Sequence, residues 1–443
     1  MRRQPSKTTF PFPLSLSTSV LIGLVATVVV VGPAAQAQNY SVLHSFSNGY
    51  GGSWPWSELT LGHGGHLYGT TFHGGNRSQQ ACQVDLEEQG CGIVFDLYQR
   101  NDQWVFDTLF AFQFQDGAYP HQGVIIGHDG ALYGAAGFGG QTSLNCSVDG
   151  CGTVYELQPS PTWPSTPLAP WMLHKVYDFM GTDYDGSNPS SGLVLDAAGN
   201  MYGGNYGGPD NCGVIYQLSR SAGGWMLSDI YNGFYCPEGN VGIAPGGLVF
   251  DGAGNLYGTT FYGGHISCTA AQGCGTVFKL TNTGSAWVAT TLYEFNEATD
   301  GGFPGGLVLD AAGNLYGGTE SGGPGDGGTV WELSASNGGW TFNVLYSFQH
   351  STPYAGVVGR LAMDSSSNLY GVTASEGTFG LGNVFMLTPS SGAWTYADLH
   401  DFSGGNDGAD PLQGVTLDTT GDIFGTTSFG GLGNYGTVWE MAP

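Results

Sequence analysis

Gly246-Gly247-Leu248-Val249-Phe250-Asp251, then Gly254-Asn255-Leu256-Tyr257-Gly258-Thr259-Thr260, then Gly275-Thr276-Val277-Phe278-Lys279-Leu280, then Trp287 through Thr291-Leu292-Tyr293-Glu294-Phe295, is the stretch that decides the fold. Each run is short, rich in β-branched and aromatic residues, and bounded by Gly, Asn or Asp. No 3.6-residue apolar period lies between them, so the stretch predicts four antiparallel strands. The unit recurs: an aromatic-Gly pair follows Leu, Met or Ile at Tyr68, Tyr133, Tyr202, Tyr257, Tyr316, Tyr370 and Phe424, at spacings of 65, 69, 55, 59, 54 and 54 residues. Seven four-stranded units read as propeller blades, longer than the ~40–50 residues of common blade repeats. A parallel β-helix is the rival, but its coils are much shorter.

The two ends of the sequence argue for closure. Tyr40-Ser41-Val42-Leu43-His44-Ser45-Phe46 matches the fourth strand of a unit, as in Asn343-Val344-Leu345-Tyr346-Ser347-Phe348, while the last unit stops after its third strand, Gly436 to Met441. Pairing the two completes a blade and removes two exposed edges. The expected fold is all-β: a seven-bladed β-propeller of four-stranded antiparallel blades over residues 38–443, closed by the N-terminal strand. Third-strand aromatics (Phe95, Tyr155, Tyr216, Phe278, Trp331, Phe385, Trp439) and fourth-strand Phe residues (Phe46, Phe112, Phe179, Phe234, Phe295, Phe348, Phe402) recur once per unit, as packing between neighbouring sheets requires.

Composition agrees. With 78 Gly in 443 residues and only 10% charged residues, the chain is neither helical nor a charge-rich disordered one. Collagen is excluded because Gly does not fall at every third position. Arg2, Arg3 and Lys7 precede an uncharged apolar run, Val20 to Val31, and the small-residue pattern Ala35-Gln36-Ala37. Residues 1–37 therefore read as a secretory signal peptide, too short in its apolar part to span a bilayer. Its removal would leave six Lys and Arg against 35 Asp and Glu, a net charge of −29. Nucleic acid and anionic membranes should repel such a chain.

The pattern Asp-Gly-x-x-Pro, Gly-Leu-x-x-Asp, Gly-Asn-Leu-Tyr-Gly-Thr-Thr, Gly-Gly and Gly-Thr-Val-Phe resembles the GloVer tandem repeat of bacterial "choice-of-anchor" secreted proteins, over essentially all of residues 38 to 443. The resemblance implies an exported protein whose C-terminal anchor varies between members. It supplies no reaction, ligand or catalytic residue. No anchor is visible before Pro443, so release rather than surface attachment is expected.

Three sets of residues are candidates for chemistry. Asp196, Asp251, Asp310, Asp364 and Asp418, six residues before the anchor aromatic, fit turns in which the carboxylate bonds backbone amides. Asp116, Asp185, Glu238, Asp300 and Asp407 lie in the loops leading into the blades, where turn formation is their expected role; Asp116, Asp185, Asp300 and Asp407 are also candidate metal ligands, with Ca²⁺ the ion such oxygens would take. On the same face, His73, Phe138, Tyr206, Tyr262 and Phe429 precede the Gly-Gly pairs; blade-edge packing explains them as well, and as partly exposed rings they are candidate stacking residues for sugars. Arg360, the one basic residue in a first-strand segment, is a candidate anion contact. The eight Cys suggest four local disulfides: Cys82 with Cys91, Cys146 with Cys151, Cys268 with Cys274, and Cys212 with Cys236.

No Gly-x-Ser-x-Gly elbow, phosphate loop or His-Glu-x-x-His helix occurs. The expected function is a secreted, monomeric, non-enzymatic module that needs no cofactor and binds extracellular carbohydrate or a surface protein. The alternatives are a Ca²⁺-assisted lyase or hydrolase acting in a central channel, and a structural envelope or matrix component.

Overall fold

The computed structural model of the protein describes residues 39–442 apart from 77–81, 83–89, 144, 147, 160–170, 209–211, 233–244, 265–267, 269–272, 337 and 350–355. The signal peptide at 1–37 lies outside the described residues, as do Phe234, Cys236 and Glu238.

Seven four-stranded antiparallel sheets follow one another: blade 1 over 60–111, blade 2 over 125–178, blade 3 over 194–231, blade 4 over 245–294, blade 5 over 302–347, blade 6 over 362–401, and blade 7 over 416–442 with 39–45. In blades 1 to 6 the strands lie in chain order, the first innermost, and first-strand segments of all seven blades line a central channel. Blade 7 takes its outer strand from the start of the chain: Asn39–Ser45 pairs with Thr437–Ala442, placing Asn39 opposite Ala442 and Ser45 opposite Thr437. The closure expected from the two ends is thus present.

Within each blade the glycine after the anchor aromatic is a slot for a ring. Gly69 faces Phe95, Gly134 faces Tyr155, Gly203 faces Tyr216, Gly258 faces Phe278, Gly317 faces Trp331, Gly371 faces Phe385 and Gly425 faces Trp439 across the second and third strands. A Cβ at Gly69 would lie 2.4 Å from the Phe95 ring, and one at Gly425 2.3 Å from Trp439. One very large side chain therefore requires a partner with none.

The same ring also joins blades. Where it is described, the fourth-strand Phe of a blade meets the third-strand aromatic of the next: Phe112 with Tyr155 at 5.0 Å, Phe179 with Tyr216 at 5.2 Å, Phe295 with Trp331 at 5.6 Å, Phe348 with Phe385 at 5.3 Å and Phe402 with Trp439 at 5.8 Å between centroids. Phe46 with Phe95, at 5.5 Å, repeats the contact between blades 7 and 1. All of these rings are buried, and such pairs add about 0.5–1.5 kcal/mol beyond the area they remove from water.

A second contact staples the lead-in loops of blades 2 and 5 to the preceding blade. Tyr119 and Phe303 donate their backbone N–H to the carbonyls of Cys91 and Cys274. Both hold left-handed φ values, 56° and 61°, at a cost of about 1–3 kcal/mol each. The strain seats the following proline against the glycine that opens the neighbour's third strand: a Cβ at Gly92 would be 2.7 Å from Pro120 Cδ, and one at Gly275 2.4 Å from Pro304 Cδ. Asp-Gly-x-x-Pro and Gly-Thr-Val-Phe are therefore two halves of one interface, contributed by successive blades.

On the opposite face, Asp196 Oδ1 accepts from Ala198 N and Asn200 N, and Oδ2 from Asn200 Nδ2 and the Tyr202 hydroxyl. Asp251, Asp310 and Asp364 do the same. Asp418 bonds the amides of Thr420, Gly421 and Asp422. These carboxylates are the turn formers their spacing predicts. Blade 2, with Gly127 at that position, uses Asp129, which accepts from the Tyr133 hydroxyl at 2.9 Å and pairs with Arg220 of blade 3.

Candidate functional site: the central channel

The channel, about 680 Å³, is walled by the inner strands. The residue just before the first buried aliphatic side chain of each blade forms a ring: Glu58, Gly123, Gly192, Gly247, Gly306, Arg360 and Gly414. At Gly123, Gly247, Gly306 and Gly414, though not at Gly192, glycine is demanded by crowding. A Cβ at Gly123 would lie 2.6 Å from the Glu58 carbonyl oxygen, one at Gly247 2.4 Å from Gly306 Cα, and one at Gly414 2.2 Å from the Arg360 carbonyl oxygen. Glu58 and Arg360 fit because each is flanked by glycine on both sides, and Gly414 separates them.

These two exceptions meet. Arg360 Nη2 donates to Glu58 Oε1 at 2.8 Å and Nε reaches the same oxygen at 3.3 Å, so the side chains bridge from blade 6 to blade 1 past blade 7. Arg360 is about half open to channel solvent although protein surrounds it. The Glu58 carboxylate beside it holds the guanidinium above its ordinary pKa. Sequence reading singled out Arg360 but not its partner, since nothing local links positions so far apart in the chain.

A third departure sits higher in the channel wall. Glu320, near the end of the second strand of blade 5 (Leu315–Ser321), occupies a place held by Phe72 in blade 1, Phe261 in blade 4 and Ser428 in blade 7. It is 9% exposed, lines the channel, and accepts no side-chain hydrogen bond from any described residue. Burial pushes its carboxyl up to about 8. Phe261, the equivalent residue one blade earlier, lines the same channel and packs on Phe303 with centroids 5.3 Å apart. Glu320 was legible only as a break in the repeat, a carboxyl where other blades carry aromatic or small residues.

The candidate stacking residues pack between blades, and none of them lines the channel. His73 is buried, packed edge-on to Trp54 at 5.1 Å and Tyr119 at 5.3 Å, and its backbone bridges Ser53. Phe138 lies edge-on to Tyr119, Phe429 to Trp54, and Tyr262 to both Phe261 and Phe303. Tyr206 is half-buried, its amide bonded to the Asn188 carbonyl. Among the described residues, the most exposed aromatic rings are instead Tyr50, Tyr184 and Phe379.

The loop carboxylates are engaged within their own loops. Asp185 accepts from Met180 N at 2.7 Å, Thr182 N at 2.9 Å, Thr182 Oγ1 at 2.6 Å and the Tyr177 hydroxyl at 3.3 Å. Asp300 accepts from Tyr293 and Asn296 N, Asp407 from Ser403 N and Oγ, and Asp116 from Gln113 N. Among the described residues, Cys268, Cys274 and Glu297 form the group of three whose potential ligand atoms cluster, and its two sulfurs are joined to each other. Cys82–Cys91, Cys146–Cys151 and Cys268–Cys274 are disulfides as expected. Cys212 is also disulfide-bonded, and its expected partner lies outside the described residues. No helix among the described residues is long and apolar enough to cross a membrane.

Comparison with known proteins separates likeness of fold from likeness of sequence. A xyloglucanase of Paenibacillus sp is 28% identical over 244 residues, half of this chain and 23% of that protein. The chain thus spans about a quarter of that relative's length. The extracellular domain assigned to a one component system of B. thetaiotaomicron superposes with a TM-score of 0.50 at 11% identity, covering 91% of this chain and 40% of that one. A gluconolactonase of Xanthomonas campestris aligns at a TM-score of 0.35 and 14% identity, covering 66% of this chain and 78% of that one. The Gloeobacter/Verrucomicrobia repeat matches residues 83–269 and 266–443. With that match spanning most of the blades described above, the chain belongs to the Gloeobacter/Verrucomicrobia repeat family.

Proposed function

We propose that the protein is an exported binding module that takes a carbohydrate into the mouth of its central channel, on the face carrying the lead-in loops. One observation carries this reading: the ring of channel glycines is broken at two places, and both replacements, Glu58 and Arg360, meet on the channel wall past blade 7. A solvent-reached ion pair contributes only about 0–1 kcal/mol to stability, so a scaffold gains little from it. The guanidinium and carboxylate line the same channel as Gln122 and Gln413, which gives it donors and acceptors suited to hydroxyl groups. The relative named as a xyloglucanase supports carbohydrate as the ligand class.

Export through residues 1–37 and an oxidising compartment agree with the disulfides. The module acts as a monomer, needs no cofactor, and engages neither nucleic acid nor the bilayer; a surface protein is the alternative ligand. The test is a neutral-glycan binding screen on the purified protein, repeated on Arg360→Ala. Saturable binding lost in the variant supports the reading; glycan binding that Arg360→Ala leaves unchanged moves the site elsewhere, and no binding at all favours a structural component. A second reading, a hydrolase or lyase in the same channel, draws on Glu320, a carboxyl held in its acid form where a proton donor would be needed. Release of reducing sugar from a bound glycan would decide for it.

A further inference from the structure

Glu320 is nine-tenths buried, lines the channel and has no hydrogen-bond partner for its carboxyl among the described residues. A carboxyl so largely buried, with only a sliver open to channel solvent, is costly to ionise, and a fold that keeps one at the edge of a solvent channel leaves its best interaction to something that enters. Other charges do not provide it. Of the charged residues lining the channel, Arg360 is taken by Glu58. On Glu320's own blade, Glu332 accepts from the Tyr316 hydroxyl and from Asn343, and the adjoining first strand, Gly302–Leu309, has no titratable residue. Glu297, in the loop leading into the blade, lies against Gly302 and Gly322. No neighbouring charge moves the Glu320 carboxyl; burial alone does.

Two features choose among ligands. The chain carries a net charge of −26, which concentrates cations at a mouth that opens on it. Phe261, one blade away at the equivalent position, presents an aromatic wall in the same channel, and an aromatic face beside a carboxyl suits an ammonium group. Resting on the carbohydrate reading above, we infer that the channel selects a sugar bearing a free amine, with the ammonium seated on Glu320 beside Phe261 and the hydroxyls toward Glu58 and Arg360. The proton leaves Glu320 for solvent as the ammonium binds, so charge is conserved within the buried site.

Isothermal titration at pH 6, where the amine is charged, tests this with the glucosamine tetrasaccharide, its N-acetylated counterpart, cellotetraose and tetralysine, each in two buffers of different ionisation enthalpy. The expected result is at least tenfold tighter binding of the glucosamine oligomer than of the other three, with release of about one proton. Glu320→Gln, neutral and isosteric with the buried acid, should melt in one transition no lower than the wild type, lose the preference and lose the proton release. Equal binding of cellotetraose overturns the inference and leaves the carbohydrate reading standing. A preference that survives in Glu320→Gln, or tighter binding of tetralysine, overturns it as well, and failure of every oligosaccharide to bind removes both.

Discussion

Pro55 and Gly436, from opposite ends of the chain, pack as Pro120 and Gly92 do within it. A Cβ on Gly436 would stand 2.5 Å from Pro55 Cδ and 2.3 Å from the Thr427 carbonyl oxygen, and Trp54 N donates to the Tyr435 carbonyl beside it. The seam between blades 7 and 1 is thus built like those at Gly92–Pro120, Gly152–Pro189, Gly275–Pro304 and Gly382–Pro411.

Gly436→Ala should therefore open that seam. Overpacking and the left-handed φ of 95° together predict a loss of about 2–4 kcal/mol in urea denaturation. Gly65→Ala, at a φ of 80° with nothing within 4 Å, isolates the backbone strain and should lose only about 1–2 kcal/mol. Equal losses would mean that the Pro55 contact contributes nothing.

The Arg360–Glu58 bridge should matter little for folding. A double-mutant cycle of Arg360→Ala and Glu58→Ala is expected to give a coupling of about 1 kcal/mol or less, since both side chains are open to channel solvent. A coupling of several kcal/mol would identify the pair as a structural brace and weaken its role in binding.

Much of this architecture was readable in advance because it repeats. Tyr257 and its six counterparts set the blades, and Phe46 and Trp439 gave the strands that close the ring. The site was harder for a physical reason. Glu58 and Arg360 become partners only through a ring that brings blade 6 near blade 1, and glycine crowding at Gly306 and Gly414 is invisible until neighbouring backbones are in place. Glu320 gave a signal only as an odd residue in a variable column. The aromatic residues before the Gly-Gly pairs looked exposed in sequence, whereas left-handed Trp54, Tyr119 and Phe303 fold their rings against them.

Glu320 should give the protein a distinctive pH profile. Its folded pKa of about 8 lies above the ordinary carboxyl value of 4.5, so its contribution is fully present below about pH 4.5 and is lost as pH rises through 8. Glu320→Gln removes that dependence. The variant should match the wild type at pH 4 and exceed it by roughly 2–4 kcal/mol at pH 8, by chemical denaturation. Parallel curves for the two proteins would show that the carboxyl is already solvated in the fold.

Asp185, 2% exposed and holding four donors, is expected to act as a loop brace. Asp185→Ala should cost about 2–3 kcal/mol with or without Ca²⁺, and EDTA should leave the wild-type melting temperature unchanged. A fall in that temperature with EDTA, absent in Asp185→Ala, would instead make the loop a cation site.

Reduction should loosen the loop face without dissolving the blades. The loops closed by Cys82–Cys91, Cys146–Cys151 and Cys268–Cys274 span 9, 5 and 6 residues, each worth up to about 2–3 kcal/mol. Non-reducing peptide mapping should recover these three pairs, and hydrogen exchange after reduction should rise first in the segments between second and third strands. Uniform exchange across the blades would contradict a local role.

The pairing of Asn39–Ser45 with Thr437–Ala442 also dictates an order of events during synthesis. The strand made first has no partner until the strand made last arrives, so six sheets can form while the seventh waits. Throughout that interval the early segment and the inner edge of the growing stack remain open to other chains. Completion of the ring is then a single long-range encounter, which makes the last residues of the blade array the timing element of its folding.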